Sequence, residues 1–336
     1  QVHPNFIKPV SRYNEVLSFL INNTLTDLCI SRPKSRLGWG IEIPFSPEHV
    51  TYVWFDALIN YISAVGFGYD EAKFRKYWPA DLHLIGKDIL RQHAIYWPIM
   101  LKALGLTMPK MIFAHGWWMV GQDKMSKSRG NVVDPLKLVN EYGVDAYRYF
   151  LLRDVPFGLD GNFSDEAIIK RKNSDLANDL GNLVHRTATM VEKYFSGKLP
   201  ERAQVRAHKL KIDNDNLKRE VKTALEAVDF TAALGALWLV INEANKFIED
   251  TKPWNLLKEK RMDELNSFIL LLVDVIRNIS SVLTCFMPDT AKSISEQFAS
   301  MVIKKGVPLF PRIENVHPVR DYRANPKDKD VSHGVH

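Results

Sequence analysis

The sequence has 336 residues, with 45 Lys and Arg against 39 Asp and Glu for a formal charge of +6; 46% of its residues are apolar and 25% charged. That length suits about two domains with full cores, and the balance of apolar and charged residues excludes a disordered chain. Cys29 and Cys285 are its two cysteines, and neither has a CxxC partner, which excludes a disulfide scaffold and a Cys-rich zinc site within these residues. No unbroken apolar run is longer than that from Phe268 to Val273, far short of the ~18–20 residues that span a bilayer, and no charged start leads into an apolar signal segment. The mild positive excess suits an anionic partner. The reading is of a soluble protein from a reducing compartment. The chain opens on Gln1, and its first residues to Ser11 carry no cap, periodicity or start signal, so it reads as a piece of something longer.

In chain order, Val50 to Phe55 is rich in β-branched and aromatic residues and predicts a strand. Helical spacing follows over Ala57 to Val65. A second short strand is expected over Leu82 to Ile85, a helix interrupted by Pro98 over Asp88 to Leu104, and a third strand over Met111 to Ala114. This alternation argues for a parallel sheet with crossover helices, about half of a doubly wound domain. Residues 121–130 form a lysine-rich loop between Gly121 and Gly130. Asp134 and Pro135 then supply a cap and a first-turn proline for a helix that stops at Gly143, and another helix runs from Asp145 to Arg153. From Ser164 the pattern becomes helical throughout. One long helix is expected to about Phe195, then helices over about 214–228, 230–250, 255–260, 263–286 and 289–302, a bundle. Residues 315–336 read as a flexible tail. The expected divisions are 1–119 for the second half of a Rossmann-like parallel-sheet domain, 120–163 for the lysine loop and its surroundings, 164–310 for an all-α bundle, and 311–336 for the tail.

The most informative stretch is Lys124-Met125-Ser126-Lys127-Ser128. Two lysines three apart on a Gly-flanked loop place movable point charges where a triphosphate could sit. Lys, Ser and Gly alone would read as a solvated loop, but a given five-residue word arises by chance in roughly one in ten thousand chains of this size. The pentapeptide resembles the signature loop of class I aminoacyl-tRNA synthetases. Further stretches narrow the resemblance to the methionyl-tRNA synthetases of bacterial or organellar type. These are Phe6-Ile7-Lys8-Pro9, Tyr52-Val53-Trp54-Phe55-Asp56-Ala57, Leu84-Ile85-Gly86-Lys87-Asp88-Ile89, Arg129-Gly130-Asn131-Val132-Val133-Asp134-Pro135 and Leu309-Phe310-Pro311-Arg312. They run in family order over nearly the whole chain.

The resemblance implies a methionine–tRNA ligase. Such enzymes activate methionine with ATP and Mg2+ to methionyl adenylate and pass the acyl group to tRNA(Met), initiator tRNA included. It implies that Lys127, assisted by Lys124, stabilises charge on the phosphates, with Gly86 and Asp88 on the ATP side. It places methionine against Trp54, Ala57, Leu58, Tyr61, Ile89 and His93, with Arg32 as pocket support. Position 58 is Pro in some relatives. Spacing agrees in part: Ala57 and Tyr61, and Ile89 and His93, are i, i+4 pairs that share a helix face, and ligands in open α/β sheets bind beyond the carboxyl ends of the strands. Taken singly, Trp54 and Ile89 read as core and His93 as a structural histidine. On the bundle, Asn182 and Arg186 are another i, i+4 pair, and Trp254 follows Pro253 at a helix break. The resemblance makes these three the anticodon readers, through hydrogen bonds and base stacking, while Trp238 reads as core.

A second signature of these enzymes, a His-Ile-Gly-His-like tetrapeptide, is not in the sequence. His83-Leu84-Ile85-Gly86 is similar, but Lys87 follows it and it lies only 41 residues before Lys124. The expectation is therefore of an N-terminally truncated chain that is inactive alone, a monomer with no structural zinc and no membrane partner. It would be cytoplasmic, or organellar if a targeting segment lies upstream. One alternative is a non-catalytic tRNA-binding paralogue, which methionine-dependent ATP–pyrophosphate exchange would separate. Another is a class I synthetase of leucyl or cysteinyl type, against which Asn182, Arg186 and Trp254 argue.

Overall fold

The computed structural model describes residues 3–121, 123–125, 131–201 and 214–314, with the backbone alone at 214 and 215. They form two compact units. One is built on the chain up to Trp117 together with Gly158–Asp160, the other on Trp118–Phe157 and the chain from Gly161.

The first unit holds a three-stranded parallel sheet. Its strands are β1 (Ile7–Lys8), which leads into helix α1 (Val10–Asn22), then β5 (His83–Gly86) and β6 (Ile112–His115), in the order β1-β6-β5. Ile7 faces Ile112, and His83 to Gly86 run beside Ile112 to His115. Ile112, Phe113 and Ala114 are all buried, as a central parallel strand covered on both faces requires. β1 falls where no start signal was expected. Two residues are too few to show a period, and its partner strand lies about a hundred residues away.

A second sheet is antiparallel, ordered β2 (Ser31–Pro33), β4 (Ser46–Thr51), β3 (Glu42–Ile43). Here the expected strand over Val50 to Phe55 is corrected. β4 ends at Thr51, belongs to this sheet rather than the parallel one, and helix α2 (Val53–Ser63) begins at once. The aromatic run carries high strand propensity, yet Leu58 and Ile62, one turn apart, are both buried. Tertiary burial of that face decides the outcome. Helix α3 (Glu71–Tyr77) follows, capped by Asp70, whose carboxylate accepts from the Lys73 amide. The helix expected over Asp88 to Leu104 is instead three pieces: a 3-10 turn (Lys87–Ile89), a π-helical turn (Gln92–Tyr96) and α4 (Trp97–Ala103). Pro98 lies in the first turn of α4, directly after the π-helical turn, and offers no N–H to the carbonyls of that turn.

The second unit opens with a small sheet in which β7 (Trp118–Val120) pairs antiparallel with β8 (Asp123–Lys124) and parallel with β9 (Gly161–Asn162). Its helices are α5 (Pro135–Tyr142), α6 (Val144–Arg153), α7 (Asp165–Arg171), α8 (Asn182–Phe195), α9 (Asn214–Glu226), α10 (Phe230–Thr251), α11 (Pro253–Lys258), α12 (Met262–Leu283) and α13 (Pro288–Phe298). The expected caps form: Asp134 accepts from the Leu136 amide, Ser164 accepts from the Ala167 amide, and Gly143 takes φ +89° to end α5. The long helix expected from Ser164 to Phe195 runs as one path, but Lys172–Gly181 between α7 and α8 is wound as a π-helix. The Ser174 hydroxyl donates back to the Lys170 carbonyl at 2.7 Å, and insertion of a side chain into the backbone ladder is one cause of such departures. Helix α12 is 22 residues long and holds an 18-residue window with a mean hydropathy of 1.5, enough by length and composition to cross a membrane, but 72% of that window is buried inside the protein. It is the central helix of this core. The expected tail over 315–336 lies outside the described residues.

Candidate functional site

In the first unit, helix α2 and the π-helical turn bring together residues that the sequence singled out. The Tyr61 hydroxyl lies 2.9 Å from Nε2 of His93, and Nδ1 of His93 lies 2.9 Å from the Ile89 carbonyl oxygen. A carbonyl only accepts, so Nδ1 carries the proton. In the neutral ring Nε2 then accepts the Tyr61 hydroxyl proton. The Trp54 ring meets His93 edge-on, with centroids 6.0 Å apart at 79°. Trp54 and Tyr61 are half-buried and rest on a cluster that includes Leu58, Ile62 and Trp97, while Ile89 packs on a separate cluster with Ile85 and Leu90. Ala57 is half-buried one turn before Tyr61. Leu58 is only 1% exposed, so it supports this wall from within the core. Single π turns of this kind concentrate at functional sites.

Behind this group lies His83, which sequence reasoning passed over as a site residue. Its Nε2 accepts from the Trp97 indole N–H at 3.2 Å, and its ring lies 4.2 Å from that of Tyr61. Burial, with His93 nearby, lowers the His83 pKa to about 4. Burial also holds His93 below its ordinary value, against the opposing pull of the Ile89 carbonyl, and raises that of Tyr61. The group is therefore uncharged at neutral pH.

A second constellation stands where β5 and β6 end. A Cβ on Gly86 would sit 2.6 Å from Oδ1 of Asp88, a close approach that glycine allows. That same Oδ1 accepts from the Trp117 indole N–H at 3.2 Å. Lys87 lies 4.1 Å from the Trp117 ring centroid and 2.5 Å from Oδ2 of Asp160, whose Oδ1 accepts from the Trp117 amide. Burial works to raise the Asp160 pKa, but the Lys87 and Trp117 bonds outweigh it and the net shift is downward. Asp160 returns to this unit from 73 residues along the chain, which no local signal could announce. The Arg32 guanidinium lies 4.0 Å from the ring centroid of Tyr52, two residues before Trp54, and donates to the Ser31 carbonyl.

In the second unit, Lys124 is exposed on β8, and the side-chain amide of buried Asn131 donates to its carbonyl at 3.2 Å. That bond joins the two sides of the lysine loop at its base. Lys127 lies outside the described residues. At the start of α8, Asn182 is exposed and Arg186 pairs with Glu249 of α10 at 2.6 Å. Glu249 precedes Trp254 by five positions. Trp254 is 38% exposed on α11, after the left-handed Lys252 at φ +51° and buried Pro253. Glu249 was not foreseen, since its tie to Arg186 depends on how two distant helices meet. Among the described residues, no group of three or more His, Cys, Asp or Glu is arranged to hold a metal ion.

A family model for class I (M) tRNA synthetases matches residues 3–188, more than half of the sequence. The chain belongs to the class I tRNA synthetases of the methionyl type. It is 48% identical to a methionine–tRNA ligase of Caldanaerobacter subterraneus subsp. tengcongensis, over 93% of this chain and 52% of that one. It is 47% identical to a methionine–tRNA ligase of Clostridium acetobutylicum, over 93% and 51%. Among solved structures, Mycobacterium tuberculosis methionyl-tRNA synthetase in complex with methionyl-adenylate superposes with a TM-score of 0.85 at 41% identity, covering 93% of this chain and 65% of that one. The chain thus spans about half the length of the curated relatives it matches.

The two neutral histidines of this synthetase unit carry a pH signature. Unfolded histidine takes up a proton near pH 6.5, whereas folded His83 resists until about pH 4. The unfolded state therefore binds more protons in that interval, and stability falls as pH drops from 6.5 towards 4. We expect the melting temperature to decline over this range, with His83→Gln flattening the slope. Superimposable profiles for the two proteins would remove His83 as a source.

Proposed function

We propose that this chain contributes to a methionine–tRNA ligase that binds methionine at the Tyr61–His93 pair. The observation that carries the reading is that hydrogen bond, with the Trp54 edge beside it. A thioether needs an apolar, aromatic wall with little charge, because its sulfur is polarizable and favours ring edges. Trp54, Ala57, Tyr61, Ile89 and His93 compose that wall, Leu58 backs it, and Arg32 steadies its approach. Methionine's carboxylate oxygen attacks the α-phosphorus of Mg2+-bound ATP, the bond to the β-phosphate oxygen breaks, and pyrophosphate leaves. The terminal adenosine hydroxyl of tRNA(Met) or initiator tRNA then attacks the acyl carbon and AMP leaves. Gly86 and Asp88 face the nucleotide, while Lys127, with Lys124, offsets charge on the phosphates. Asn182, Arg186 and Trp254 read the anticodon. The reading also takes the chain as a monomer without a membrane partner, cytoplasmic, or organellar if a targeting segment lies upstream.

Titration of the chain with methionine, followed by tryptophan fluorescence, tests the first step. Saturable binding is expected, weakened by Trp54→Ala; no binding by the folded chain would overturn the methionine site. Trp254→Ala is expected to weaken binding of a CAU anticodon stem-loop by about 1–3 kcal/mol, the worth of one stacked base. Methionine-dependent ATP–pyrophosphate exchange separates a ligase from a protein that only binds tRNA.

A further inference from the structure

The hydrogen bond between Trp97 and His83 lies behind the candidate methionine wall, and the proposed reaction gives it no task. Trp97 is fully buried at the start of α4, and His83 is 4% exposed at the start of β5. Apolar side chains of similar shape could fill both positions without desolvating an indole N–H and an imidazole. What the polar pair adds is orientation, because a satisfied buried bond selects one ring geometry. That geometry bears on Tyr61. The His83 ring lies 4.2 Å from the Tyr61 ring at 38°, Trp97 flanks it at 6.0 Å, and His93 holds its hydroxyl. A β-strand, the π turn and α4 thus hold one phenol on α2. The donor N–H of Trp97 also fixes the His83 tautomer, with the proton on Nδ1.

We propose that His83 and Trp97 are positioning residues that set Tyr61 against His93 and thereby tune discrimination between a thioether and a methylene at the ligand's far end. The pocket's identity rests on the methionine reading above; the placement of Tyr61 does not. In this arrangement the Tyr61 proton is committed to His93, so a ligand sulfur meets ring edges and the phenol oxygen. Small displacements of such rings change a sulfur contact more than a methylene contact, since sulfur is the more polarizable.

The test uses methionine and norleucine, which differ by sulfur against CH2, with Trp97→Phe, His83→Phe and the double variant. Each single change keeps a ring and deletes the bond, leaving one polar group unpaired; the double change removes both groups. We expect each single variant to lower the methionine-to-norleucine affinity ratio about 2- to 10-fold, the span of sulfur–aromatic contacts. The double variant should regain thermal stability without regaining the ratio. A ratio that returns together with stability, or never moves, would reduce the pair to packing and overturn the proposal. Imidazole nitrogen NMR of the ligand-free chain gives an independent reading. The His93 Nε2 resonance should shift in the folded double variant as the Tyr61 hydroxyl leaves it, while Nδ1 stays protonated against the Ile89 carbonyl; an unchanged Nε2 resonance counts against positioning. Should the parent bind neither ligand, the methionine reading falls and the imidazole spectra alone decide the placement of Tyr61.

Discussion

Lys127→Ala is expected to slow methionine-dependent ATP–pyrophosphate exchange by about 10²–10³-fold, the usual cost of removing one group aimed at charge that develops in a transition state. Activation of an amino acid asks little covalent chemistry of the protein, so positioned charge does most of the work. A lysine ammonium on a flexible stem suits a moving phosphate as a compact point charge. Methionine affinity should stay within about twofold, because the proposed methionine wall of Trp54 and His93 is apolar and uncharged and the lysine acts on the phosphates. Exchange is followed in a preparation that shows the parent activity. An unchanged rate there would strip Lys127 of its role, and an equal loss of methionine binding would mean that the substitution had disturbed more than the phosphates. Lys124→Ala is expected to act more weakly in the same direction.

Phe268→Ala is expected to destabilise the bundle by about 3–5 kcal/mol, the range for deleting a large aromatic side chain from a packed core. Phe268 has no exposed surface, and its ring lies 5.1 Å from that of Phe247, joining α12 to α10. Chemical denaturation followed by far-UV circular dichroism would measure the loss in the helical unit, while the pH-dependent transition attached to His83 should be little affected. A cost below about 1 kcal/mol would mean that the surrounding helices close over the gap, contrary to a tightly packed centre.

The bundle could be read closely from sequence because its signals are local. Asp134, Gly143 and Ser164 act within one turn of themselves, and apolar residues of α10 and α12 recur at helical spacing. The lysine loop announced the family through residue identity rather than through geometry. What escaped notice shares one physical cause, pairing across long separations. Ile7 reads as a strand only when Ile112 is beside it. Lys87 finds Asp160, and Arg186 finds Glu249, across distances along the chain that periodicity does not cover. The Val50 to Phe55 run misled for a related reason: β propensity was strong, but burial of Leu58 and Ile62 gave the second half of the run to a helix. His83 looked like part of a failed signature tetrapeptide, and only the fold brings it beneath Tyr61.

The ten-residue π-helix over Lys172–Gly181 also works as a phase adjuster. A wider helix advances through a smaller angle per residue, so the azimuth of everything beyond Gly181 depends on how many residues are wound that way. Excising one residue, Ser174 for instance, would remove the hydroxyl that reaches back to Lys170 and draw the segment towards α-helical pitch. Asn182 and Arg186 would then swing together around the axis, and Arg186 would part from Glu249. Leu183, Val184, Ala188 and Val191, buried on the same helix, would turn with them, so the excision should cost the bundle stability as well as any anticodon affinity.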